Sequence, residues 1–481
     1  SIKGFMSLAL ADSHAEAEEL MLAPVWDALP ADALLRDAAL PSPTLLIGGT
    51  AAQHEAIRAL YPEAKTLDLP EDGSAQAIAD SLNAYQELTH LVWIAPEADD
   101  DMIRAQQHGV LQVFRIIKAL LASGYGEKPL CWTLVTTMAQ AVRPGDELDP
   151  THAAVHGLVG SLAKEYPHWT LRLFDLDDMP AVDLFNLAAE PDGNALAYRN
   201  GEWYRQALVP VRQAGPCATD QRPPYRYRGV YVVIGGAGGI GAAWSRHLIE
   251  HYRAQIIWIG RRAKDAGIQA KLDELAALGD APRYIAADAT DLAALRQAYL
   301  DIKRDHPAIQ GVVHSAIVLK DQGLAGMDEA GFQAGLAAKV DTSVNLAEVF
   351  GAEPLDFMLF FSSVVAFGKV AGQSNYAAGS TFKDAFAHKL AQHSPYAVRI
   401  INWGYWGTVG IVASPEYQQR MQQAGLGSIT PEEGIAAVNA LLAGPVRQMA
   451  MLKTVNPGIL KAVDTAQWLA GCREHYPSLV K

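Results

Sequence analysis

The sequence predicts an α/β protein made of two tandem, doubly wound parallel sheets, the first of them degenerate. Three observations predict it. In both halves, short β-branched apolar runs alternate with longer Ala/Leu/Lys/Glu stretches, the pattern of βαβ units. The halves also echo each other in order. Leu45-Leu46-Ile47-Gly48-Gly49 matches Val232-Val233-Ile234-Gly235-Gly236, and His90-Leu91-Val92-Trp93-Ile94 matches Gly311-Val312-Val313-His314. Thr133-Leu134-Val135-Thr136-Thr137 matches Leu359-Phe360-Phe361-Ser362-Ser363, and Leu171-Arg172-Leu173-Phe174-Asp175 matches Val398-Arg399-Ile400-Ile401-Asn402. Finally, a loop from Gly215-Pro216-Cys217 to Arg222-Pro223-Pro224 separates the halves, since Pro and Gly there break any helix.

These signals divide the chain into a linker or docking segment over 1–21, a first unit over 22–222 and a second over 223–481. Residues 11–24 read as a charged, alanine-rich helix. In the second unit, strands are predicted at Gly229–Ile234, Gln255–Ile259, Arg283–Ala286, Gly311–His314, Phe357–Ser362 and Val398–Asn402, with helices at Gly239–His251 and Asp291–Asp305. The length of 481 residues fits about three domains, or two larger ones. Half of the residues are hydrophobic, ample for a core. Net charge is 39 − 53 = −14, which gives no general attraction to nucleic acid or anionic lipid. The three cysteines, Cys131, Cys217 and Cys472, are too scattered for a disulfide framework or a CxxC zinc site, and no metal site is expected. They fit a reducing cytoplasm. The apolar run Ser1–Ala11 is a poor secretory leader, and Val230–Ser245 is too short and Gly-rich for a membrane helix.

The second unit opens with Ile234-Gly235-Gly236-Ala237-Gly238-Gly239-Ile240-Gly241, after a strand and before a helix. Gly235, Gly239 and Gly241 allow a tight turn and close approach of a pyrophosphate to the helix N-terminus, the Rossmann-like dinucleotide arrangement. The next strand ends at Ile259-Gly260-Arg261-Arg262. An NAD site places a carboxylate there; guanidinium groups fork onto a 2′-phosphate instead, so NADPH is the expected cofactor. Asp288, with Ala289 beside it, is a candidate for the adenine, although Asp288 is equally suited to capping the helix that follows. In the first unit, Gly48-Gly49 is followed by Thr50-Ala51-Ala52-Gln53, with no later glycines, so that unit is expected to bind no dinucleotide.

Ser363 ends a strand; Tyr376 follows 13 residues later, and Lys339 lies 24 residues before Ser363. Strand ends of a doubly wound sheet face the cofactor crevice. The glycine run, Lys339, Ser363 and Tyr376 resemble the short-chain dehydrogenase/reductase superfamily. Their order resembles the ketoreductase domains of modular polyketide synthases, in which the lysine precedes the serine. Trp403-Gly404-Tyr405-Trp406-Gly407, the stretch Gly427-Ser428-Ile429-Thr430-Pro431-Glu432-Glu433-Gly434 and the duplicated layout extend that resemblance over residues 22–455.

The resemblance implies NADPH-dependent, stereospecific reduction of a β-ketoacyl thioester carried by an acyl carrier protein, beside neighbouring synthase domains. It implies that Ser363 donates a hydrogen bond to the substrate oxygen and that Tyr376 protonates it. An ordinary tyrosine titrates near about 10, and an ammonium from Lys339 favours its phenolate. Ser380 stands where the ketoreductase pattern has asparagine and the wider superfamily lysine. Ser315 falls in the nicotinamide pocket, and Ile317 replaces a common glycine there. Leu319-Lys320-Asp321 keeps the third residue of a Leu-Asp-Asp stretch, and Gly368 stands at the tryptophan position eight residues before Tyr376. This pattern resembles the B-type, which gives a D-configured alcohol. Asp321, Gln373 and Trp406 are the implied substrate and stereocontrol positions.

Residues 408–427 are expected to form either a lid, with Met421 and Leu426 offered to the acyl chain or pantetheine arm, or an ordinary amphipathic surface helix. In the first unit, Thr137 holds the place of Ser363, and Thr151-His152-Ala153-Ala154 holds no tyrosine. Two other readings compete: a free-standing NADPH-dependent ketone reductase, and a degenerate ketoreductase kept as a structural module.

Overall fold

The computed structural model describes residues 17–30, 44–70, 73–85, 88–97, 99–178, 184–190, 192–212, 224–409, 415–454 and 469–470. The expected interdomain loop, Gly215 to Pro224, lies almost wholly outside them, as do Cys217, Cys472 and Ser1–Ala11.

The chain enters on β1 (Glu18–Leu29). The first sheet follows with β2 (Thr44–Gly48), β3 (Lys65–Thr66), β4 (His90–Ile94), β5 (Cys131–Thr137), β6 (Thr170–Leu176), β7 (Ala195–Arg199) and β8 (Glu202–Arg212). Its helices are α1 (Ala51–Leu60), α2 (Ala75–Leu82), α3 (Met102–Ala105), α4 (Val110–Ala122) and α5 (Ala154–Glu165). The pairings run β3-β2-β4-β5-β6-β7, all parallel, and β8 closes the edge antiparallel to β7.

The second sheet repeats the plan with β9 (Val230–Ile234), β10 (Gln255–Gly260), β11 (Arg283–Ala286), β12 (Gly311–His314), β13 (Phe357–Ser363), β14 (Ala397–Trp403), β15 (Leu426–Gly427) and β16 (Gln448–Thr454). The parallel order is β11-β10-β9-β12-β13-β14-β16. Its helices are α6 (Gly239–Tyr252), α7 (Ala266–Ala276), α8 (Leu292–Asp305), α9 (Glu329–Ala337), α10 (Val340–Phe350), α11 (Val365–Gly368), α12 (Ser374–His393), α13 (Pro415–Gln423) and α14 (Pro431–Ala443). All four sequence echoes fall on topologically equivalent strands: β2 and β9, β4 and β12, β5 and β13, β6 and β14. The central strands of both sheets are continuously buried, as expected where helices cover both faces.

The helix expected over residues 11–24 is not formed by its described part. Residues 18–29 are β1, which pairs antiparallel with β16 from Glu18 to Leu22 and with β8 from Leu22 to Leu29, so one strand splices the edges of both sheets. Ladder pairing on two edges overrides the local preference of Glu, Leu and Ala for helix. Pro24, which breaks a helix interior, was the signal against it.

The halves meet again where α5 packs on α12, its counterpart. A Cβ on Gly157 would lie 2.2 Å from the Ala377 backbone, and one on Gly160 2.1 Å from the Lys369 side chain. Only glycine lets α5 come this near to the segment that carries Tyr376.

Candidate active site

The glycine turn rests on Gly235 and Gly241, as the sequence implies, and on Gly236 and Gly238 beside them. Gly235 has φ +80°, and a Cβ there would meet Ser315 O at 2.9 Å. A Cβ on Gly236 would enter the Trp258 ring at 2.1 Å, and one on Gly241 would press on Gly236 Cα at 2.9 Å. Gly238 is the N-cap of α6 and supplies no side-chain cap, so first-turn N–H groups stay open to an anion. This cradle fits a dinucleotide pyrophosphate. Ala237 and Ile240 lie in the same turn, and Lys271 Nζ braces it by donating to Ala237 O at 2.6 Å.

Arg261 and Arg262 follow β10 and are exposed. Arg262 pairs with Asp265 at 3.3 Å, while Tyr284 Oη donates to Gly260 O at 3.1 Å and Arg262 O at 2.7 Å. Tyr284 therefore shapes the arginine turn, a role that spacing did not reveal. Asp288 closes its own turn, accepting from Thr290 N at 3.0 Å and Thr290 Oγ1 at 2.8 Å, while Asp291 caps α8. Ala289 is buried beside it, and Asn345 Nδ2 donates to Ala289 O at 3.0 Å. Ser315 N donates to Ile234 O at 2.9 Å and so docks the loop after β12 onto the glycine turn. Ile317 is 39% exposed at that rim.

Lys339, Tyr376 and Ser380 are brought together. Lys339 Nζ lies 3.3 Å from the Tyr376 ring centroid and donates to Tyr376 O at 3.3 Å and to Ser380 Oγ. Ser380, one turn along α12, donates to Tyr376 O at 2.7 Å. The ammonium thus sits over the ring face, where the π-quadrupole attracts a cation. Burial holds Lys339 well below the usual lysine range, opposed by the Asp384 and Asp321 carboxylates. Ser363 ends β13, with its Oγ accepting from Val365 N at 3.2 Å and donating to Trp403 O at 3.4 Å.

A polar layer beneath these groups escaped sequence reasoning. Lys383, two turns beyond Tyr376, is buried, donates to Phe361 O at 3.0 Å and lies 3.3 Å from His314 Nδ1. Burial pulls Lys383 down to about 7, against the neighbouring Asp384 carboxylate, and pushes Asp384 up to about 6. Asn402 Nδ2 and Gln448 Nε2 both donate to Asp384 Oδ2, at 2.7 and 3.0 Å.

At the proposed entrance, Gln373 Nε2 donates to Asp321 Oδ2 at 2.7 Å, and the buried Asn375 donates from Nδ2 to Lys320 O at 3.1 Å. These bonds tie the Leu319–Asp321 stretch to the start of α12. Gly368 closes α11, where its carbonyl accepts from Lys164 Nζ at 2.7 Å. Trp406 departs from the substrate-contact expectation: it is 3% exposed, stands edge-on to Trp403 at 5.0 Å, and fills space that a Cβ on Gly434 would enter at 2.2 Å. Its ring packs the end of β14 against α14. In the expected lid, residues 410–414 lie outside the described ones. Met421 is half-buried on α13, and Leu426 on β15 packs beside Val364 and Phe367 in an apolar cluster with Leu22 and Leu452.

Among the described residues, no helix is long and apolar enough to cross a membrane, and no group of three His, Cys, Asp or Glu side chains is placed to hold a metal.

The comparisons with known proteins agree with this fold. Residues 229–408 match the KR domain family, and residues 36–208 match the family described as polyketide synthase extender module SpnB, Rossmann fold domain. The chain is 46% identical over 473 residues to polyketide synthase PksN of Bacillus subtilis (strain 168), and 45% identical over 464 residues to PksM of the same organism. Each alignment covers 96% of this chain but only 8% and 11% of those proteins, which are far longer. The fold matches a ketoreductase domain from the bacillaene assembly line, with TM-score 0.71 and 20% identity over 92% of this chain and 99% of that one. A-type ketoreductases from a modular polyketide synthase match with TM-score 0.74 and 23% identity over 96% of this chain and 98% of that one. The two matched families fall in order on the paired Rossmann-like sheets: the chain belongs to the ketoreductase domains of modular polyketide synthases, oxidoreductases that act on a ketone.

Proposed function

We propose that this domain uses NADPH to reduce a β-ketoacyl thioester, held on an acyl carrier protein, to a D-configured β-hydroxyacyl thioester. The contact of Lys339 with Tyr376 and Ser380, at the same carboxyl end of the strands as the glycine cradle, is the observation that carries this reading. Gly235, Gly236, Gly238 and Gly241 receive the pyrophosphate, and Arg261 takes the 2′-phosphate, since Arg262 already has Asp265 as partner. Asp288, Ala289 and Ser315 line the rest of the cofactor groove. When bound, NADPH supplies the hydride.

The chain's own groups do the remaining work. The Ser363 hydroxyl exchanges its long bond to Trp403 O for one to the substrate carbonyl. Tyr376 donates its proton to the oxygen as charge develops there, and Lys339 stabilises the resulting phenolate. Ser380 holds Lys339 in place, the task we assign to the position that usually carries asparagine. Asp321 and Gln373 form one side of the entrance and favour the orientation that yields the D-alcohol. The acidic chain with its exposed Arg261 accounts for a cofactor rather than nucleic acid as the anionic ligand.

The test is consumption of NADPH by the isolated domain supplied with a β-ketoacyl thioester, followed by chiral separation of the alcohol. A D-configured product is expected, with NADPH preferred to NADH. An L-configured product would reject the B-type assignment, and tight NADPH binding without turnover of a carrier-bound substrate would instead favour a structural module.

A further inference from the structure

The two loops that flank the entrance rise from the carboxyl ends of β12 and β13, and one side chain from the other half of the molecule holds both. Glu165, the last residue of α5, accepts from Leu324 N at 2.7 Å through Oε2 and from Gly372 N at 3.0 Å through Oε1. Leu324 follows Asp321 by three residues, and Gly372 immediately precedes Gln373. The same loops meet again at their tips through the bond from Gln373 to Asp321. Glu165 is therefore the base of a clasp and Gln373–Asp321 its closure. Gly323 lies beside the base, where a Cβ would stand 3.4 Å from Glu165 Oε2.

Other struts from the first half reach one loop each. Lys118 Nζ donates to Leu324 O at 2.9 Å and Ala325 O at 2.7 Å, and Lys164 Nζ donates to Gly368 O. Asn194 Oδ1 accepts from Lys369 Nζ at 2.7 Å. These brace the loops separately and leave their mutual spacing free. A carboxylate can accept from two N–H groups at once, whereas an amide turns one face into a donor. Burial pushes the Glu165 carboxyl above the usual range, against the two backbone bonds that favour its charge.

Resting on the reading given under Proposed function, we propose that Glu165 is a positioning residue: the non-catalytic half sets, through this one carboxylate, the spacing of the Asp321 and Gln373 loops and hence which carbonyl face the substrate presents. A small change of spacing at a reacting centre alters orientation more than chemistry.

The experiment compares wild type, Glu165→Gln, Glu165→Asp and Lys118→Met for product D/L ratio, KM and kcat with a β-ketoacyl thioester, NADPH affinity, and Tm. Glu165→Gln is expected to lower the D/L ratio by about tenfold and raise thioester KM several-fold, with NADPH affinity unchanged. Lys118→Met, which cuts a strut to a single loop, should lower Tm while keeping the ratio. If Glu165→Gln does not fold, Glu165→Asp, whose shorter arm reaches at most one loop, carries the same expectation. An unchanged ratio in a folded Glu165 variant would overturn the inference and leave the ketoreductase reading intact. Absence of turnover by the wild type would take both down.

Discussion

The helices that follow the first strand of each sheet differ by a few residues with large consequences. In the first sheet, α1 is closed by its own sequence: Thr50 Oγ1 accepts from Gln53 N at 3.2 Å, and Gln53 Oε1 accepts from Thr50 N at 2.8 Å. This capping box fills the place where a pyrophosphate would sit. In the second sheet, the N-cap of α6 is Gly238, and nothing from a side chain takes the first-turn donors. The same architecture starts its helix with a filled cap in one case and an open one in the other.

The strand ends repeat the contrast. Thr136 and Asp175, at the positions of Ser362 and Asn402, are closed into a buried set in which Thr136 Oγ1 donates to Asp175 Oδ1 at 2.7 Å. Arg199 pairs with Asp175 at 2.5 Å and with Asp146 at 3.2 Å. Burial holds His156, on α5, down to about 4 beside them. The second half keeps titratable groups, Lys339, Lys383 and Asp384, in the corresponding region under Tyr376. A duplicated fold thus closes this region on an ion-paired set in one copy and places titratable groups beneath Tyr376 in the other.

The sharpest way to break this comparison is to make one change in both copies. Gly48 and Gly235 both have positive φ, +70° and +80°, and a Cβ at either meets backbone oxygen. Alanine at either position should destabilise the domain by roughly 1–3 kcal/mol in denaturant titrations. Only Gly235→Ala should also weaken NADPH, by at least about tenfold. Weakening by Gly48→Ala would place cofactor contacts in the wrong half.

Arg261→Ala should weaken NADPH by about 10–100-fold, the loss of a charge-assisted bond, and leave NADH unchanged in a fluorescence titration. Arg262→Ala should have a smaller effect because Asp265 already engages that side chain. Ser380→Ala releases Lys339 and should reduce kcat by roughly tenfold, with thioester KM nearly constant.

A pH-dependent effect concerns the buried acid. Asp384 titrates near 6 in the fold against an ordinary 3.8, so the folded state prefers the proton. Wild-type stability should therefore fall relative to Asp384→Asn as pH rises from 4 to 6 and run parallel above that, a difference on the order of 1–3 kcal/mol in chemical denaturation. A constant offset across that range would contradict the burial of a titrating group there.

Much of this is legible in the sequence. The strands of the second sheet, the α6 and α8 helices and the order of the duplicated strands follow from periodicity and from glycine placement, which are local signals. The approach of Lys339 to Tyr376 was legible through a spaced motif. What was not legible depends on long-range pairing. The β1 splice requires knowing that β8 and β16 leave adjacent open edges, and Pro24 alone hints at it. Trp406 is aromatic near a strand end in either reading, and only the approach of Gly434 puts it in the core. Lys383 and Asp384 look like surface charges on a helix until α12 is seen to be buried along that length. Glu165 has no motif, because its meaning comes from two backbone N–H groups 159 and 207 residues away.

The most direct test of a catalytic second half on an inert first one is NADPH oxidation by Tyr376→Phe with a β-ketoacyl thioester, paired with NADPH titration of the same protein. We predict one NADPH per chain bound with wild-type affinity and turnover reduced by at least about a hundredfold. Undiminished turnover in Tyr376→Phe, or a second NADPH per chain, would contradict it.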